Sequence, residues 1–205
     1  MRIVTFNIQH GRTPAGRVDI DLLGRVCAGF DADLLALQEV DVRRRRSGFV
    51  DTVARVAAAT KLHGTFGPAL RGYGNALFTR TPPADVAVER LPRHRGNEPR
   101  AALLAQVDGL SVAVTHLSID GAEAREQLAM VVKLLRERPE PRVLVGDLNL
   151  RTRTGEPTFP SDNPRARIDH IAVEGLRVTA AQVLPAPPVS DHFPLLAEVE
   201  PLSLG

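Results

Sequence analysis

Six short aliphatic runs in this chain stop on residues that ligate cations or move protons, and that pattern constrains the fold more than any other feature. The clearest is Val143-Leu-Val-Gly-Asp-Leu-Asn149. Side chains alternate faces along a strand, so Asp147 and Asn149 share one side, Leu148 returns to the core and Gly146 leaves clearance. Arg2 to Asn7 closes on an amide, Asp33 to Glu39 on a carboxylate after Gln38, and Val112 to His116 on an imidazole. Further on, Asp169 is embedded in Arg167-Ile-Asp-His-Ile-Ala-Val, and Ser190-Asp191-His192-Phe-Pro194 sets an acid beside an imidazole ahead of Leu195-Leu-Ala-Glu-Val. Strand tips that deliver Asn, Glu, His and Asp imply one convergent polar site on a rigid sheet scaffold.

The periodicities supply the rest of the architecture. Asp19 to Gly29 and Val50 to Thr60 read as amphipathic helices. In Gly121 to Glu137, Ala124, Leu128, Val131, Val132 and Leu135 keep the helical period until Pro139 and Pro141 end it. Strands are expected at Tyr73 to Thr79, Ala84 to Arg90, Arg100 to Val107 and Leu110 to His116, the last two joined by the hairpin signal Asp108-Gly109. Val143 to Asp147, Ile168 to Val173, Leu176 to Leu184 and Leu195 to Val199 form a second set. Most are apolar on both faces at their centres, which predicts two sheets packed on each other inside and on helices outside, a helix-flanked α/β sandwich. Four loops, Gly11 to Val18, Arg43 to Gly48, Arg90 to Glu98 and Arg151 to Arg165, adjoin the polar tips and should form the rim of the site.

With 205 residues, 43% of them hydrophobic, the chain suits one domain over 1–205. Only Lys61 and Lys133 of its 26 basic residues are not Arg, yet the net charge is +2, a mild bias toward anionic partners and no proof of nucleic-acid binding. Met1 runs straight into a strand pattern, leaving no room for a signal peptide, so cytoplasmic residence is expected. No apolar run reaches the roughly 20 residues that span a bilayer, which excludes membrane insertion by a helix. The single Cys27 lies on the stripe Leu23, Val26, Cys27, Phe30 and reads as a buried structural thiol.

Glu39, with help from Asn7 and Asp191, offers oxygen ligands but too few to fill six positions. An ion held so keeps waters and reaches for substrate oxygens, the habit of Mg²⁺ or Mn²⁺. His116 and His192 lack zinc-site spacing. His192, beside Asp191 and near Asp169, resembles an oriented imidazole; Asp147 is placed to hold or deprotonate a water, and Asn149 to donate to an oxyanion. Neither a nucleophile elbow nor a phosphate-binding glycine loop is present. Plainer roles exist: Asp147 and Asn149 as caps of a turn, His116 as a core histidine, Asp169 as the partner of Arg165 or Arg167, and the Arg43 to Arg46 run as a solvated loop rather than a phosphate contact.

Taken in order, Asn7, Gln38-Glu39, Thr115-His116-Leu117, Gly146-Asp-Leu-Asn149, Ile168-Asp-His-Ile171 and Ser190-Asp-His-Phe-Pro194 resemble the signature motifs of the endonuclease/exonuclease/phosphatase superfamily, from residue 7 to residue 194. The resemblance implies a deoxyribonuclease I-like, four-layer α/β/β/α sandwich of two mixed sheets, and Mg²⁺- or Mn²⁺-dependent hydrolysis of phosphoesters. It makes Glu39 the main metal ligand, with Asn7 near it and Asp191 by the ion. Asp147 and Asn149 position nucleophile and phosphate, His116 assists the leaving group, and His192, oriented by Asp169, is base or phosphate stabiliser. Whether Asp147 or His192 takes the proton stays open. Arg100 and Asn75 would contact the phosphate. The expected activity is that of a phosphodiesterase, with a phosphomonoesterase or a lipid or inositol phosphate hydrolase on the same site as the alternative. The partner is then a phosphoester, nucleic acid among the candidates, bound by a monomer, and a non-catalytic binding module is the rival from another class. Trp is absent and Tyr73 is the sole Tyr, so platforms for stacking single-stranded bases are sparse.

Overall fold

Val4 and Phe6 turn to one side of the first strand and join one apolar cluster, while Ile3 joins another. That two-sidedness sets the layering of the whole chain. The computed structural model describes residues 1–13, 15–186 and 189–202. Its elements run β1 (Arg2–Asn7), α1 (Ile20–Ala28), β2 (Leu34–Asp41), α2 (Thr52–Thr60), β3 (His63–Leu70), β4 (Tyr73–Thr79), β5 (Ala84–Arg90), β6 (Ala101–Val107), β7 (Leu110–His116), α3 (Gly121–Arg136), β8 (Arg142–Asp147), β9 (Asp169–Glu174), β10 (Leu176–Val183) and β11 (Leu195–Pro201). One sheet has the order β10-β11-β1-β2-β4-β3, the other β5-β6-β7-β8-β9, and both mix parallel with antiparallel pairs.

The layers follow from alternation. Leu35, Leu37 and Phe78 face Leu23, Val26, Cys27, Val53 and Val56 of the first two helices. Leu34, Ala36 and Leu77 instead meet Leu103, Val112, Val114, Val143 and Val145 of the second sheet. On that sheet's far side, Ala102, Leu104, Ala113 and Leu144 pack on Ala124, Val131 and Leu135 of α3. The result is the expected α/β/β/α sandwich. Each helix begins on an aspartate: Asp19 accepts from Leu22 N, Asp51 from Ala54 N, and Asp120 from Ala122 N and Glu123 N. These caps place the starts of α1 and α2 one and two residues later than the apolar period suggested. Cys27 is buried, and burial alone pushes its thiol far up, as a structural role requires.

Strand β3 had no signal in the sequence. His63-Gly-Thr-Phe-Gly-Pro-Ala-Leu70 lacks alternation, but the layers press on it. A Cβ at Gly64 would lie 2.8 Å from Val53 Cγ1, and one at Gly67 2.7 Å from Leu103 Cβ. The glycines serve packing, and Pro68 is tolerated because β3 is an edge strand. The Asp108-Gly109 turn joins β6 to β7 with φ of 48° and 83°, the double left-handed geometry of a tight hairpin.

Gly146 also has a backbone reason. Its φ is 147°, and a Cβ there would collide with the Thr115 carbonyl oxygen of β7. The expected clearance is therefore for the neighbouring strand. Gly146→Ala is predicted to destabilise the fold by about 3 kcal/mol or more, read as a lower urea midpoint at an unchanged slope.

Candidate active site

Strand registry builds the site in rows. His116 is level with Asp147 in the parallel β7–β8 pair, and Asp147 is level with Asp169 in the antiparallel β8–β9 pair. In the other sheet Asn7 is level with Gln38. Inward parity carries Ile3 to Asn7 and Val143 to Asp147, so the two tips meet across the seam. Asn7 Nδ2 donates to Asp147 Oδ2 at 3.0 Å. Glu39 would face the helices with Leu35 and Leu37 if β2 were regular. Its pairing with β4 slips between Leu37 and Val40, and Glu39 takes φ +58°, so a bulge turns the carboxylate back to the site. There it accepts from Asn7 Nδ2 at 3.1 Å. Asn7 thus bridges two acids, and its own oxygen accepts from Gln9 N at 3.1 Å.

Asp147 Oδ2 is the point of convergence. Besides Asn7, His116 Nε2 lies 3.5 Å and His192 Nε2 3.7 Å from it. Both are too long for tight hydrogen bonds. The turn role that the sequence allowed exists too, but on the other oxygen: Asn149 takes φ +52° and its N–H donates to Asp147 Oδ1 at 3.0 Å. Asn149 Nδ2 donates to Leu117 O at 3.0 Å, which engages one of its two amide hydrogens. Burial first, then the Asp169 charge, lifts the Asp147 carboxyl to about 7 against the pull of His192 and the two Asn hydrogen bonds.

His192 is fixed on three sides. Its Nδ1 lies 2.9 Å from Asp169 Oδ2, the Phe159 ring stands 4.7 Å away, and its backbone N–H donates to Ser190 Oγ at 3.2 Å. Burial opposes a charged ring here, but Asp169, Asp147 and Asp191 outweigh it and lift His192 to about 9. Asp169 accepts from Thr158 Oγ1 at 2.6 Å on that same oxygen, and its Oδ1 is buried with no partner among the described residues. The Arg165 or Arg167 pairing is not formed: Arg167 donates instead to Thr154 O. Nothing in the irregular 151–165 loop marked Thr158 beforehand. Ser190, whose Oγ donates to Asn7 O at 2.6 Å, lies in the Ser190–Pro194 motif, where the sequence alone gives it no role.

Asp191 Oδ2 accepts from Gln9 Nε2 at 2.8 Å, a residue the sequence did not single out. Burial and then Asp191 push Glu39 up against the Asn7 hydrogen bond. Glu39 and Asp191 are therefore neighbouring acids whose side-chain donors are all neutral, a donor set with negative charge to spare and suited to a divalent cation. A second set is Asp147, Asp169 and His192, whose ligand atoms lie within 4.8 Å of one another. In that set Asp147 Oδ2, Asp169 Oδ2 and His192 Nδ1 have internal partners, although Asp169 Oδ1 has none among the described residues, and the imidazole is itself lifted toward its charged form. The Glu39 side, with two acids and neutral donors, therefore fits a cation better. Asn75 Nδ2 donates to Ala101 O at 2.9 Å and ties β4 to β6 across the sheets. Buried Arg100 uses NH1 twice, on Glu98 Oε1 at 2.7 Å and His116 Nδ1 at 3.1 Å. The Arg43 to Arg46 run is not a free loop: Arg46 binds Asp41 through two nitrogens at 2.7 and 2.8 Å, and the Arg44 and Arg46 guanidiniums lie over Tyr73.

A helix-flanked double sheet with acids, amides and imidazoles at adjoining strand ends defines a deoxyribonuclease I-like protein. The sequence profile of the Endonuclease/Exonuclease/phosphatase family matches residues 4–192, and the chain belongs to that family. Among solved structures it is similar to an endonuclease/exonuclease/phosphatase from Beutenbergia cavernae DSM 12333, with TM-score 0.81 and 23% identity over 98% of this chain and 71% of that one. A mannosyl-6-phosphatase of Bacteroides thetaiotaomicron VPI-5482 gives TM-score 0.75 and 16% identity over 98% of this chain and 99% of that one. A 3'-5' exonuclease of Neisseria meningitidis gives 0.68 and 19% over 97% and 99%. No curated protein matches by sequence. None of the described helices is long and apolar enough to cross a membrane.

Proposed function

We propose that this protein hydrolyses phosphodiesters with Mg²⁺ or Mn²⁺ as its cofactor. The observation that carries this reading is the convergence of Asn7, His116 and His192 on one oxygen of Asp147, beside two acids, Glu39 and Asp191, that have no cationic hydrogen-bond partner among the described residues. Glu39 and Asp191, with Asn7 beside them, would hold the ion, and the chemistry it would supply there is neutralisation of charge on the phosphoryl oxygens.

The chain's own groups do the rest. Asp147 Oδ2 orients the attacking water and accepts its proton, a task that the raised carboxyl favours. His192, locked by Asp169, brings positive charge to the phosphate. The second amide hydrogen of Asn149 donates to the developing oxyanion. Arg100 and Asn75 border the phosphate, and His116 meets the leaving-group oxygen. The likeness to a sugar phosphatase of almost the same extent supports a monoesterase as the second reading.

The test is hydrolysis of bis(p-nitrophenyl) phosphate and p-nitrophenyl phosphate with Mg²⁺, with Mn²⁺ and with EDTA. Diester turnover that EDTA abolishes is expected. Turnover of the monoester alone moves the assignment to the second reading, and turnover unaffected by EDTA removes the cation from it.

A further inference from the structure

An arginine beside a histidine ring leaves the ring few choices. The guanidinium keeps its proton at any pH a protein survives and has no lone pair to offer, so it can only donate. Arg100 NH1 carries two hydrogens, and the two short contacts of that nitrogen are Glu98 Oε1 at 2.7 Å and His116 Nδ1 at 3.1 Å. His116 Nδ1 must therefore accept, and the ring's proton sits on Nε2. An imidazolium would turn two N–H groups against each other. Both residues are buried, at 8% and 6% exposure, so water cannot relieve such a clash.

We infer that Arg100 is a positioning residue that fixes His116 with its proton on Nε2, so that His116 meets the substrate as a neutral hydrogen-bond donor and not as an acid that surrenders its proton. The Nε2–H points to the convergence point, where Asp147 Oδ2 at 3.5 Å is too distant to satisfy it. A phosphoester or leaving-group oxygen arriving there completes the bond. The electrostatics agree: burial first, then Arg100 and His192, hold His116 well below the ordinary histidine value. Arg100 Nε is buried without a partner among the described residues, and NH1 is the nitrogen that reaches His116.

The kinetic part of this inference rests on the phosphodiesterase reading, and the spectroscopic part does not. In ¹⁵N-histidine-labelled protein, assigned by loss of the signal in His116→Gln, the His116 Nδ1 resonance should be of the unprotonated type and Nε2 of the protonated type. Arg100→Met should redistribute the proton between the two nitrogens, whereas Arg100→Lys, which still donates, should hold it. A protonated Nδ1 in the wild type overturns the inference whether or not the protein turns anything over.

In bis(p-nitrophenyl) phosphate turnover, His116→Ala should cost on the order of 100-fold in kcat. His116→Gln, whose amide N–H occupies the place of Nε2–H, should cost about tenfold at most. Arg100→Met should then slow His116→Gln less than it slows the wild type. His116→Gln as inactive as His116→Ala would make His116 a proton-giving acid and end the proposal. Equal Arg100→Met losses in both backgrounds would end the positioning role.

Discussion

Asp147→Asn is expected to lower kcat by about 10²- to 10⁴-fold and at the same time to raise thermal stability. Both effects come from one geometry. The carboxylate is the place where Asn7, His116 and His192 converge, so its loss removes the group proposed to receive the water's proton. Burial and the neighbouring Asp169 make its charge costly, which is why its carboxyl is lifted to about 7. A carboxyl whose folded value stands above its unfolded value binds more protons in the folded state between the two. Its contribution to stability is therefore fullest in acid and is lost as pH rises from about 3.8 toward about 7. Asparagine keeps the shape without that loss, and at neutral pH the variant should be more stable by on the order of 1–3 kcal/mol. Urea unfolding of both proteins across this pH range, beside diester kinetics, provides the check. A variant that is slow and also less stable would show that Asp147 supports the fold by its charge, contrary to the role assigned here.

The elements that the sequence made legible share a physical character: strong period and end-marking residues. The three helices, the Asp108-Gly109 hairpin and the strand tips at Asn7, His116, Asp147 and Asp169 were readable because burial imposes alternation and the site interrupts it. Strand β3 was hidden because its glycines answer to Val53 and Leu103, residues on other elements that only the fold brings against it. Thr158 and Gln9 were hidden for a related reason. Each acquires its role from a partner, Asp169 or Asp191, that only the fold brings near. Glu39 is the instructive intermediate. Its identity was evident, yet strict alternation would have turned it to the wrong layer, and only a bulge that no periodicity announces brings it to the site. The Arg43 to Arg46 run shows the converse: its charge reads as a solvated loop, yet the fold engages two of its four side chains, Arg46 with Asp41 and both Arg44 and Arg46 over Tyr73.

Glu39→Gln is expected to raise the Mg²⁺ or Mn²⁺ concentration for half-maximal rate by about 100-fold or more, with little harm to the fold. Glu39 and Asp191 are adjacent acids held by neutral amides, and removing one charge halves the attraction they offer a cation. Without metal the substitution should be neutral or mildly stabilising near pH 7. Burial and Asp191 raise the Glu39 carboxyl above its unfolded value, so its contribution falls as pH rises past about 4.5, and glutamine has no such dependence. Metal linkage separates this site from the alternative one. An ion at 100 times its Kd stabilises the native state by about 2.7 kcal/mol, so Mn²⁺ should raise the melting temperature of the wild type and leave that of Glu39→Gln nearly unmoved. Equal shifts in the two proteins would place the ion among Asp147, Asp169 and His192, another group among the described residues able to hold it, and would reassign Glu39 from ligand to a buried partner of Asn7.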